Sequence, residues 1–172
     1  MASIIGVQEL QHTNGTSAAT IDSSGRILTP ARPAFLVQWS ASQTGLSATG
    51  YNRLNFDTEL FDVGSNLSGA VFTAPVSGIY QFNLSQRFDS IGSGYVIIGL
   101  ADDGSTHNAA SSLWNTSYRI SGSPATNFET LQSSITFELT AGDDVAPWYY
   151  NSADTSYNLS ITGAQFSGFL VG

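Results

Sequence analysis

Hydrophobic residues in this chain recur at alternate positions over short runs, and Gly, Ser, Thr and Asn interrupt them every few residues. Alternation of period two marks a half-buried strand, and no long window carries the 3.6-residue repeat of a helix. Pro33 to Ser40 places Phe35, Val37 and Trp39 on one face, and Ile79 to Phe88 does the same for Tyr80, Phe82, Leu84 and Phe88. Tyr95 to Leu100 is almost continuously apolar, as expected of a strand covered on both sides. Leu113 to Ile120 is a weaker strand. Leu131 to Leu139 turns Ile135, Phe137 and Leu139 inward and Thr136 and Glu138 outward, and Val145 to Tyr150 and Tyr157 to Val171 complete the set.

Turn signals fall between these runs at Ala74-Pro75 with Ser77-Gly78, at Asp102-Asp103-Gly104, at Ser121-Gly122-Ser123-Pro124 and at Ala141-Gly142-Asp143. Many short strands with this punctuation predict an all-β, antiparallel β-sandwich. The first thirty residues differ. Ile4, Ile5, Val7 and Leu10 form a brief apolar patch, and His12 to Ser24 is small and polar. The division expected is an N-terminal arm over 1–30, for attachment or bracing, and a globular head over 31–172.

Length and composition narrow the function. The 172 residues suffice for one domain with a real core. Charged residues are 10% of the chain, the five cations are all arginine, and the net charge is −8. A surface that neutralises phosphates, and so binds nucleic acid, is excluded on that balance. The absence of cysteine removes disulfides, thiol catalysis and thiolate metal sites. No run approaches the ~18 apolar residues of a membrane span, so no membrane insertion is expected. Met1 to Leu10 does not read as a secretory signal. So little charge on a surface rich in hydroxyls and amides points to a homo-oligomer or to an extracellular setting.

Candidate chemistry is sparse. His12 and His107 are the only histidines, and no nucleophile elbow, P-loop or dinucleotide fingerprint occurs, so the chain reads as no enzyme. Asp143 after Gly142 most simply caps a turn, and the alternative is that Asp102, Asp103, Asp143 and Asp144 supply oxygen ligands for weak calcium binding. Trp148, Tyr149 and Tyr150 are consecutive and cannot all face one core. With Trp114 they are the candidates for stacking on a neutral glycan. Core packing is the first reading of any single one of these rings, and binding the second. The five Asn-x-Ser/Thr sequons, at Asn14, Asn66, Asn83, Asn115 and Asn158, are read as chance in so hydroxyl-rich a chain.

Three segments carry a resemblance. Phe72-Thr-Ala-Pro-Val-Ser-Gly78-Ile-Tyr80-Gln-Phe82 resembles the signature of the complement-one-q globular-head family, which shares a tumour-necrosis-factor-like fold. Leu139-Thr-Ala-Gly142-Asp143-Asp-Val145 is similar to its Leu-x-x-Gly-Asp-x-Val turn, and Phe166-Ser-Gly168-Phe169-Leu170 to its last strand. Phe56, Asp62 and Leu67 keep the family's first spacings. Leu67 to Phe72 is two residues short, however, and Leu84 stands where an aromatic is usual. The resemblance implies a jelly-roll sandwich packed as a homotrimer, with Tyr80, Phe82, Phe166 and Phe169 in the core or at an apolar interface of about 2,000 Å² or more. Phe166 and Phe169 are three apart, so a regular strand sends them to opposite faces.

His12 to Leu28 resembles a stretch that precedes such domains in virion proteins of tailed bacteriophages. The function expected is therefore a phage fibre or capsid-decoration protein at the virion surface. Its arm would meet other virion proteins and its head a host-surface glycan. A secreted lectin-like module of a cellular organism is the alternative.

Overall fold

A computed structural model describes residues 6–47, 49–91, 94–101, 114–121, 128–152 and 156–172, with the backbone alone over 114–121. The structure is all-β. Three short strands, β1 (Glu9–Gln11), β2 (Ser17–Ile21) and β3 (Ile27–Leu28), form an antiparallel meander of their own. Twelve more follow: β4 (Ala34–Gln38), β5 (Gln43–Leu46), β6 (Gly50–Arg53), β7 (Thr58–Val63), β8 (Leu67–Ser68), β9 (Val71–Thr73), β10 (Gly78–Asp89), β11 (Gly94–Ala101), β12 (Trp114–Ser121), β13 (Phe128–Leu139), β14 (Asp144–Asn151) and β15 (Tyr157–Leu170). They make two facing antiparallel sheets. The first runs β13-β10-β15-β4-β7 with β5 on β15, and the second runs β12-β11-β14-β9-β8 with β6 on β14. Apart from β11–β12 and β8–β9, neighbours in each sheet are distant in sequence, which is the jelly-roll arrangement.

The seven strands legible from alternation correspond to β4 and β10 to β15. Those not predicted, β5 to β9, are two to six residues long, too short for period two to stand out.

The core lies between the sheets. Tyr80, Phe82, Leu84, Gln86 and Phe88 all point inward from β10 and are buried. Phe35 stacks on Phe72 at 5.0 Å and meets Phe166 edge-on at 4.9 Å, and Phe72 reaches Phe82 at 5.6 Å. Offset and edge-on ring pairs of this kind add about 0.5–1.5 kcal/mol each beyond the area they bury.

The three motif segments converge at one end of the sandwich. The Tyr80 hydroxyl donates to the Val76 carbonyl at 2.8 Å, which ties the 74–77 turn to the strand that follows it. The Gly142 amide donates to the Ala74 carbonyl and the Ala74 amide to the Asp143 carbonyl, both at 2.8 Å. The chain end closes the group, with the Ile79 amide on the Gly172 carbonyl at 2.9 Å and the Val171 amide on the Ile79 carbonyl at 2.7 Å. The motif's Phe72, Tyr80 and Phe82 are thus core rings, and Gly78 lies under the chain terminus. A Cβ there would stand 2.9 Å from Leu170 Cδ1 and 3.1 Å from the Gly172 carbonyl oxygen.

Candidate functional site

The buried motif rings leave two outward faces on which function can be built. On the first sheet, β15 runs regularly through Phe166 and Phe169, so Phe166 is buried while Phe169 is 44% exposed on the outer side. Cross-strand register sets Phe169 beside Ala34 and Gln81, and Leu36 beside Phe61 and Ser167. Ile79, Leu60, Phe61 and Val171 are exposed as well. Between them lies a ladder of neutral polar groups. Gln81 Nε2 donates to Ser134 Oγ at 2.9 Å, Ser134 Oγ to Asn83 Oδ1 at 2.9 Å, and Thr136 Oγ1 to Gln81 Oε1. All of these side chains are uncharged, and the apolar ones among them would be wet in an isolated subunit.

The outer face of the second sheet has a different chemistry. Alternation along β14 sends Tyr149 inward and Trp148 and Tyr150 outward. Tyr149 is buried, and its hydroxyl shares a 2.8 Å hydrogen bond with that of Tyr157. Burial pushes the Tyr149 phenol far above its ordinary value, and the bond to Tyr157 adds to the shift. Trp148, although on the outer face, is only 7% exposed and packs with Ala101, Ala146 and Val71.

Tyr150 has a freer setting. Its ring stacks on Tyr95 at 5.3 Å with 16° between the planes, and Tyr51 meets it edge-on at 4.8 Å. Tyr51 and Tyr95 are each 39% exposed. A side-chain hydrogen bond to Tyr150 raises the Tyr95 phenol above its ordinary value. Strands β6, β11 and β14 thus each contribute one ring to an open tyrosine platform.

Sequence reasoning singled out Tyr150 but missed Tyr51 and Tyr95. The available signal was parity, because Tyr95 begins the apolar β11 run out of phase with the inward Val96 and Ile98. Of the other candidate rings, Tyr149 and Trp148 are packed as described, so neither offers a free face. Trp114 pairs with Leu100 through the backbone, and its side chain lies outside the described residues.

Among the acidic candidates, Asp143 Oδ2 accepts from the Thr140 amide at 2.7 Å and Asp144 Oδ1 from Thr73 Oγ1 at 2.6 Å. Each carboxylate thus serves local structure, and Asp102 and Asp103 lie outside the described residues. Among the described residues no group of three His, Asp or Glu side chains gathers to hold a metal ion. In the arm, Val7 and Leu10 are exposed, while Ile4 and Ile5 lie outside the described residues.

The sandwich is similar to solved structures. It aligns with the globular domain of zebrafish complement 1qA protein at 17% identity, covering 82% of this chain and 98% of that one, with a TM-score of 0.56. It aligns with murine APRIL at 13% identity, covering 81% of this chain and 99% of that one, with a TM-score of 0.59. No protein-family model and no curated protein sequence matches. The chain therefore has the jelly-roll fold of the complement-one-q and tumour-necrosis-factor-like domains. The aligned share is about four-fifths of the chain.

Proposed function

We propose that the protein is a non-enzymatic homotrimeric recognition head, in which the first sheet faces the neighbouring copies and the second faces the ligand. The observation that carries this reading is the contrast between the two outer faces. Phe169, Phe61, Leu60, Ile79 and Val171 carry no polar atom in their side chains and lose by staying wet, at roughly 25 cal/mol per Å² of apolar area. Tyr51, Tyr95 and Tyr150 have flat apolar rings and hydroxyls that remain satisfied in water, as suits a reversible, wet contact.

The ligand we assign is a neutral glycan. Pyranose faces stack on aromatic rings, their hydroxyls pair with phenols, and a net charge of −8 disfavours anionic polymers. Three platforms per trimer multiply weak contacts by avidity. We place this head at the surface of a phage particle, as fibre or decoration. That setting is supported by the arm segment from His12 to Leu28 and by the acidic, lysine-free composition.

The solution mass should be three times 18.2 kDa; a monomer at micromolar concentration overturns the trimer. Replacing both Tyr51 and Tyr95 by Ala should abolish retention on neutral polysaccharide while the mass and circular dichroism stay unchanged. Retention equal to the parent's removes the platform from the binding site. Antibody labelling of intact particles should decorate their surface, and unlabelled particles overturn the virion setting.

A further inference from the structure

The arm is a sheet with one apolar side, and among the described residues Leu10 and Ile27 on that side are exposed. Leu10 pairs with Ala19 and Ile21 with Ile27. Ala19 and Ile21 are two apart on β2, so all four side chains share one face. Leu10 is 56% and Ile27 71% exposed on that face. The opposite face holds Glu9, Thr20 and Leu28, which pair with one another across β1, β2 and β3. Charge is kept off the apolar side. Asp22 and Arg26 form a 2.6 Å pair within the β2–β3 hairpin, and Glu9 lies on the other face. Among the described residues the meander pairs with no strand of the sandwich. A three-stranded sheet this small needs a second layer over its apolar face to persist.

We infer that the second layer is the arms of the other two copies. In the trimer the three arms close face to face, as a three-sided β-prism around the same axis as the heads, with Leu10, Ala19, Ile21 and Ile27 inside. This placement rests on the trimeric reading of the head. The trimer tethers three identical, neutral, apolar faces within one short linker of a common axis, at effective concentrations in the millimolar range. Any foreign partner must compete with that. The prism would then be a second interface, distinct from the sheet face bearing Phe169. It would leave the outward side, with Glu9, Thr20 and Leu28, to meet whatever the particle presents.

The cysteine-free background makes a direct test clean. In the full chain, Ile27→Cys and, separately, Leu10→Cys are treated with a short bismaleimide, with Leu28→Cys as the control on the other face. The mass of each variant is measured before treatment. Trimers in which Ile27→Cys or Leu10→Cys yields covalent dimers, and Leu28→Cys yields several-fold fewer, support the prism. Trimers in which no inner-face cysteine crosslinks overturn the prism and leave the trimeric head standing. So do trimers in which all three variants crosslink alike. A monomeric mass for the parent protein overturns both.

Discussion

Gly168 stands at an inward position of β15 with no side chain, because two rings already fill the space. A Cβ there would lie 2.6 Å from Phe82 Cδ1 and 2.7 Å from Phe35 Cε1. Both rings are fully buried and cannot swing away. Gly168→Ala should therefore overpack the core and cost about 1–3 kcal/mol, read as a lowered urea midpoint at unchanged slope. Gly142 has open space around it and a φ of +96°. Alanine there meets only backbone strain, and the loss should be smaller, about 1 kcal/mol.

A pH effect is expected at the same scale. Burial raises the phenols of Tyr149 and Tyr80 above the ordinary value of 10.0. A raised native value means that the folded state holds the proton more tightly than the unfolded one. The stability from these groups is whole below pH 10 and is lost as pH climbs beyond it. Urea midpoints should be flat from pH 7 to 9 and should fall above about pH 10. Tyr149→Phe should lose stability at neutral pH, by removing the buried 2.8 Å hydrogen bond to Tyr157, and fall less steeply at high pH.

Among the elements, the join between β10 and β15 depends on one buried amide. The ladder pairs Ser85 with Gln165 and Arg87 with Ser160, so residues 161–164 bulge out opposite Gln86. Gln86 fills the gap. It accepts from Trp39 Nε1 at 2.8 Å and donates to the Arg87 and Ser160 carbonyls at 2.7 and 3.2 Å. Gln86→Leu keeps the volume but leaves the indole N–H and a carbonyl unsatisfied. The expected cost is about 1–3 kcal/mol, with a shift in tryptophan fluorescence; an unchanged midpoint would show that water replaces the amide. Period two predicts Gln86 inward with Phe88, but the bulge that gives it partners is a product of two strands some seventy residues apart in sequence.

In the whole molecule, the decisive feature is the patch of exposed apolar side chains around Phe169 on the outer face of the first sheet, where Glu138 stands beside Ile79 and Arg87 and Asp89 lie further along β10. Phe169→Arg sets a cation on the face proposed to meet the other copies while leaving the core rings in place. The expected outcome is a folded chain of 18.2 kDa in solution, with its β-type circular dichroism intact. A variant that stays trimeric with the parent's melting behaviour would move the interface elsewhere.

The long strands and the inward set Tyr80, Phe82, Leu84 and Phe88 were legible from the chain alone, since alternation over eight or more residues reports burial directly. So was the opposition of Phe166 and Phe169, which needs only the pleat. The sequence by itself thus determined the β class, the inward faces and the ring-rich core. The tertiary structure decided which outward residues become neighbours. Tyr51, Tyr95 and Tyr150 are separated by up to about a hundred residues and meet because β6 and β11 flank β14. It also separated Tyr149 and Trp148, which are buried, from Tyr150, whose ring neighbours are the half-exposed Tyr51 and Tyr95, although all three are adjacent in the chain. Local pattern sets the side of a strand on which a residue lies, whereas what lies opposite depends on sheet order, which is settled by long-range pairing.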